Sequence, residues 1–139
     1  MSVPALFLAN WKMNMRVGET RSFAARFLTG YRPSSTGVPD TGIAPAFTCL
    51  AALADALPKD GSILLGAQNV HWLECGAHTG EVSTAMLQDF GVSFAIVGHS
   101  ERRQHYGESD LDVARRARAA IDAGMKAVVC IGETREDYE

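Results

Sequence analysis

The residues whose types suit proton transfer or anion binding are not scattered: each group follows directly on a short apolar run. Asn10-Trp11-Lys12-Met13-Asn14 follows the first run, Gln68-Asn69 the third, Gly98-His99-Ser100-Glu101-Arg102-Arg103 the fourth and Gly132-Glu133 the fifth. An ammonium such as that of Lys12 offers positive charge to an anionic substrate. A neutral imidazole such as that of His99 donates a hydrogen bond to developing negative charge without carrying a full charge itself. Lys12 stands between Trp11 and Met13, where a purely solvated lysine is less expected. His99 precedes Ser-Glu-Arg-Arg, which could begin a short helix whose N-terminus favours neutral imidazole. For both residues a plainer role stays open: a lysine dissolved in solvent, and a histidine hydrogen-bonded for structure alone.

Five nearly continuous apolar runs predict the strands that position these groups: Ala5 to Ala9, Gly42 to Phe47, Ser62 to Ala67, Phe94 to Val97 and Ala127 to Ile131. A half-exposed strand alternates apolar with polar residues, so unbroken runs predict a parallel sheet covered on both faces. Helices are predicted between them. Glu19 to Leu28 places Phe23, Phe27 and Leu28 on one face, Thr48 to Leu57 stops at Pro58, and Ser83 to Phe90 opens on a serine cap and closes at Gly91. In the last helix, Ser109 with Asp112 reads as a capping box, Leu111, Ala114, Ala117 and Ile121 as the apolar stripe, and Gly124 as the stop.

The order βαβαβαβαβ over 1–139 is that of one α/β domain, either an open doubly wound sheet or part of a (β/α)₈ barrel. In both architectures reactive groups collect beyond the carboxyl ends of the strands. A full barrel takes about 250 residues, roughly 31 per unit, so this length holds about five strands and four helices.

Thirteen Lys and Arg against sixteen Asp and Glu give a net charge of −3, with no basic tail, which disfavours a nucleic-acid partner. The longest stretch free of charged residues, Thr41 to Ala54, contains Pro45 and is too short to span a membrane. The apolar start precedes the first positive charge at Lys12, the reverse of a signal peptide, so a cytoplasmic location is expected. Cys49, Cys75 and Cys130 form no C-x-x-C pair, and no P-loop, dinucleotide turn, H-E-x-x-H or G-x-S-x-G element occurs; neither metal nor cofactor is expected. The glycine-rich Cys75-Gly76-Ala77-His78-Thr79-Gly80-Glu81 makes a longer connection than a βα unit needs, and such loops are commonly functional.

Taken together, N-W-K-M-N at Asn10 to Asn14, G-A-Q-N at Gly66 to Asn69, G-A-H-T-G-E at Gly76 to Glu81, V-G-H-S-E-R-R at Val97 to Arg103 and C-I-G-E-T at Cys130 to Thr134 resemble the triosephosphate isomerase family. The resemblance runs end to end. It implies a partial (β/α)₈ barrel and a cytoplasmic enzyme of glycolysis and gluconeogenesis that interconverts dihydroxyacetone phosphate and D-glyceraldehyde 3-phosphate through an enediolate. By that resemblance Asn10 and Lys12 bind the triose phosphate, and His99 polarises its carbonyl. Glu101 supports the lysine and Ser100 is a neighbour of the base. Thr79 corresponds to the position that reaches into a neighbouring subunit's site, implying a homodimer in the full-length family. His78 stands where an aromatic is common and Met15 where glycine is common, neither touching the inferred chemistry.

The resemblance further implies that the family's catalytic glutamate, closing lid and phosphate-binding backbone belong to strands beyond the fifth. A chain ending at Arg135-Glu136-Asp137-Tyr138-Glu139 is then expected to be inactive alone. The alternative is a non-catalytic, self-associating half-barrel that retains an anion site at Lys12 and His99.

Overall fold

The computed structural model describes residues 6–33 and 41–132. Strands β1 (Phe7–Asn10), β2 (Thr41–Ala44), β3 (Ile63–Ala67), β4 (Phe94–Val97) and β5 (Lys126–Val129) form one parallel sheet in the order β1-β2-β3-β4-β5. Helices α1 (Val17–Gly30), α2 (Phe47–Ala56), α3 (Thr84–Gln88), α4 (Ser100–Tyr106) and α5 (Asp110–Asp122) occupy the connections. Sequential parallel pairing curls the sheet into a half-barrel. In register, Asn10 lies opposite Ala44 and Val97 opposite Val129, so the residues that follow the strands emerge along one rim.

The curled sheet has a core on each face. Toward the helices, Ile43, Leu50, Leu53, Leu65, Leu87, Val97 and Ala120 pack together, with Phe23, Phe27 and Leu28 of α1 against them as expected. On the other face Phe94 and Ile96 pack with Leu8, Leu64 and Val128. The Phe94 ring fills the space over Gly66, where an added β-carbon would meet the ring at 2.0 Å. Gly66 is therefore required by the ring above it.

Local signals explain the boundaries. Glu19 accepts the Arg16 N–H at 2.7 Å and starts α1 earlier than expected. Ser83 accepts from Met86 N–H to open α3, and Ser109 and Asp112 close the reciprocal capping box of α5.

Four expectations need correction. Five helices are present among the described residues, not four, because the Ser-Glu-Arg-Arg start runs on as α4 to Tyr106. Phe47 opens α2 and does not end β2. The stripe on α5 is rotated: Leu111 and Ile121 are 59% and 56% exposed, Ala114 is exposed, and Val113, Arg116 and Ala120 face inward with Ala117 packed beside them. Arg116 hides this face in the sequence because carboxylates neutralise it inside. Finally, only β2, β3 and β4 are largely covered on both faces, whereas β1 and β5, the outermost strands, remain partly open. Ala5 of the first expected strand, and Glu133 to Glu139, lie outside the described residues. Among the described residues no helix is long and apolar enough to cross a membrane.

Candidate active site

Four of the predicted site residues converge on one cleft of about 270 Å³ at the rim, lined by Asn10, Lys12, Gln68, Asn69, His99 and Glu101 with Met13, Phe47 and Tyr106 at its margin. Of three larger concavities, those of about 510 Å³ between α2 and α3 and about 550 Å³ beside the start of α1 gather none of these groups, and the third, of about 370 Å³, holds only His99 and Ser100 of them. Convergent polar groups define the candidate here more than volume does.

Lys12 Nζ donates to Glu101 Oε1 at 2.7 Å, joining the segment after β1 to the first turn of α4 across 89 positions of sequence. Both side chains are about half exposed, so solvent screens the pair and its contribution to stability is small. The hydrogen bond from Lys12 is the chief cause of a Glu101 carboxyl held below its ordinary range. Burial opposes that shift, while the charges of Lys12, His99 and His105 reinforce it. Glu101 therefore stays ionised beside the lysine.

His99 is the N-cap of α4, and its Nδ1 accepts the Glu101 backbone N–H at 3.3 Å. In the neutral ring the proton then sits on Nε2, which is left to donate. Nδ1 also lies 3.5 Å from Glu101 Oε2. The backbone contact decides the tautomer, because a proton on Nδ1 would face another N–H. The strand end that carries His99 is fixed by Gly98, at φ +70°, where a β-carbon would come within 2.7 Å of a Val113 methyl. Arg103 Nε donates to the Gly98 carbonyl at 3.0 Å and Nη1 to Asp110 at 2.6 Å.

Asn10 Oδ1 accepts the backbone N–H of Lys12 at 2.9 Å, so its carbonyl end faces the lysine peptide. Ser100 begins α4 next to His99 but lines the adjacent concavity with Cys130 and Ile131. Burial raises the Cys130 thiol, opposed by the charge of Arg103, which keeps it protonated and a poor nucleophile. Thr79 lies in the exposed loop from Trp72 to Gly80, away from the cleft. The base of that loop is closed by His71 N–H donating to Val82 O at 2.8 Å, and the His71 ring packs on Trp72 and His78. Among the described residues no cluster of ligating side chains could hold a metal.

Sequence reasoning missed two features. Gln68 reaches from the end of β3 to the backbone of Lys12. Arg116, buried on α5, donates to Val70 O at 2.6 Å and pairs with Glu81 and Glu108, and Glu108 also binds Arg102. The sequence marks Gln68 only as a polar residue after a strand end, without its contact to Lys12, and Arg116 reads as a solvent residue until the fold brings Glu81 and Glu108 beside it.

The family model described as triosephosphate isomerase matches residues 5–139. A protein named triosephosphate isomerase from Synechococcus sp. (strain CC9902) is 46% identical over 133 residues, covering 94% of this chain and 53% of that protein. Another of that name, from Rubrobacter xylanophilus (strain DSM 9941 / JCM 11954 / NBRC 16129 / PRD-1), is 45% identical over 134 residues, covering 96% of this chain and 52% of that protein. A crystal structure of triosephosphate isomerase from Bartonella henselae superimposes with a TM-score of 0.84 at 37% identity, covering 98% of this chain and 55% of that one. The chain spans about half the length of the curated relatives it matches.

Proposed function

The chain belongs to the triosephosphate isomerase family, and from that premise we propose that residues 1–139 are the N-terminal portion of a single (β/α)₈ barrel domain whose complete form interconverts dihydroxyacetone phosphate and D-glyceraldehyde 3-phosphate. The observation that carries the reading is the meeting of Lys12, Glu101 and His99 in one rim cleft, from strands 1 and 4 of the sheet. Lys12, with Asn10, binds the dianionic substrate, and its field stabilises the enediolate. The His99 Nε2–H donates to the carbonyl oxygen as negative charge develops there, which a neutral ring does without prior charge of its own. Glu101 keeps the ammonium in place, and Ser100 flanks the histidine.

The proton on carbon needs a base. Among the described residues Glu101 is the carboxylate of the cleft, and a carboxyl held low by a lysine is a weak base. We therefore assign proton abstraction to a carboxylate from the part of the barrel that the relatives have beyond this match, together with the lid and phosphate grip. A positioned base contributes roughly 10²–10⁴-fold, so the chain alone is expected to show no measurable turnover. The Thr79 loop is assigned to a homodimer contact in the complete enzyme, which is read as cytoplasmic. The reaction moves a proton between carbons and requires neither metal nor redox cofactor.

Mapping of dihydroxyacetone phosphate by amide chemical shifts in the 139-residue chain tests the site. Shifts at Lys12, Gln68 and His99 that disappear with Lys12→Ala are expected; saturable shifts confined to another surface contradict the reading. The open edges of β1 and β5 favour a second reading, a self-associating half-barrel that binds anions without turnover. Activity after addition of a polypeptide carrying the part that the relatives have beyond this match separates the two.

A further inference from the structure

We infer that His71 is an acid-sensitive clasp: uncharged and covered by His78 it holds the loop from Trp72 to Gly80 closed, and on taking a proton it lets that loop open. His71 is 5% exposed, and its Nδ1 accepts the Leu73 N–H at 3.1 Å. Its own N–H donates to Val82 O at 2.8 Å, so this one residue ties the outgoing limb of the loop to the returning one. A neutral ring that accepts at Nδ1 carries its proton on Nε2. A second proton must go to Nδ1, where it faces the Leu73 N–H. The hydrogen bond is then lost, and a charge is placed in a buried site.

The surroundings do little to offset that charge. The His78 ring lies over His71 with centroids 4.5 Å apart, and Gly76 and Gly80, at φ +136° and +91°, turn the segment that carries His78 back upon it. His78 is itself titratable, so acid sets a second cation against the first. The His71 ring also stacks on Trp72 at 4.3 Å, and near the Trp72 ring lie the guanidinium groups of Arg116 and Arg115 on α5, at 5.1 and 5.6 Å. The indole is thus already shared between two cations. Glu74, Cys75 and Glu81 line the same cavity of about 260 Å³ as the two histidines. Glu81 is taken by Arg116 at 3.3 Å, and Glu74 is exposed to screening solvent. Ser83 and Met86, also at the cavity, carry no charge. Protonation therefore favours the open loop, in which both rings reach water. By the reading of the Thr79 loop as a homodimer contact, acid also loosens the subunits; the clasp itself does not depend on that reading.

The test is amide hydrogen exchange, residue by residue, in the 139-residue chain at about pH 7.5 and about pH 5, on either side of the ordinary histidine range. Each rate is divided by that of an unstructured peptide at the same pH. Protection is expected to fall about tenfold or more in acid at His71, at Leu73 and at Glu81, whose N–H donates to His78 O at 3.0 Å. Ser93, whose N–H donates to Leu65 O at 2.8 Å inside the sheet, should keep its protection, which separates opening of the loop from unfolding of the chain. His71→Asn, which keeps an acceptor near the place of Nδ1 and takes no charge, should remove the fall. His78→Phe, which keeps a ring in the stack without charge, should reduce it. Protection that does not change with pH in the unsubstituted chain overturns the inference, as does an undiminished fall in whichever of the two variants folds. The loop's own amides are what is read, so failure of the homodimer reading leaves the result untouched.

Discussion

Strands β2, β3 and β4 bury Ile43, Leu65, Phe94 and Ile96 almost completely, whereas β1 and β5 leave Phe7 68% and Val129 45% exposed. All five strands are rich in apolar residues, so the difference lies in neighbours: an inner strand has a partner on each side, and each outer strand has one. The candidate site straddles this division. His99 leaves the inner strand β4, where Gly98, Val113 and Arg103 fix the chain, while Lys12 leaves the outer strand β1 and is held by side chains from elsewhere, Asn10, Gln68 and Glu101. Rigid placement comes with the inner sheet and has to be added at its edge.

Gly66→Val would break the inner sheet most completely. Its β-carbon would meet the Phe94 ring at 2.0 Å between paired strands, and loss of the cooperative urea transition and of dispersed amide signals is expected. Phe94→Ala empties the space over Gly66 and is expected to cost about 3–5 kcal/mol in urea unfolding. Phe7→Ala on the outer strand should stay within about 0.5 kcal/mol. Equal losses at Phe94 and Phe7 would dissolve the contrast. The same comparison can be made on α5: Glu108→Ala removes one of the two carboxylates beside the buried Arg116 and the partner of Arg102, leaving Glu81 and the Val70 carbonyl, and is expected to cost about 1–3 kcal/mol, whereas Leu111→Ser is nearly neutral.

Smaller effects sharpen the edges. Phe7→Lys with Val129→Lys places charge on both outer strands and should lower the apparent mass seen by light scattering at micromolar concentration while leaving the unfolding midpoint in place. Lys12→Ala and Glu101→Gln should hardly change stability at neutral pH, because the pair is screened. The Glu101 carboxyl is lowered in the folded state, so its contribution is present above the ordinary carboxylate range and is lost as pH falls through the lowered value. Glu101→Gln should flatten that acid limb slightly.

Much of this architecture is legible in residue types. The bounds of β4, the capping box at Ser109 and Asp112, and the approach of Asn10, Lys12, His99 and Glu101 all follow from apolar runs, caps and the rule that strand ends share a rim. The inward face of α5 is not legible, because Arg116 looks like a solvent residue until Glu81 and Glu108 are brought beside it by the fold. The openness of β1 and β5 is hidden for a related reason: apolarity records what a strand is suited to pack against and says nothing about how many neighbours it has. Gln68 bonds the carbonyl of a left-handed Lys12, and lysine carries no left-handed preference that could have announced that contact.

The central claim is that the rim of this half-barrel is the lysine and histidine half of an isomerase site. Its most direct test is interconversion of dihydroxyacetone phosphate and D-glyceraldehyde 3-phosphate by the purified chain, alone and after addition of a polypeptide carrying the remaining strands of a family barrel. The account predicts no turnover alone, measurable turnover in the mixture, and loss of that gain with either Lys12→Ala or His99→Gln. Turnover by the chain alone in host-enzyme-free preparations, or restored turnover indifferent to both substitutions, would contradict it.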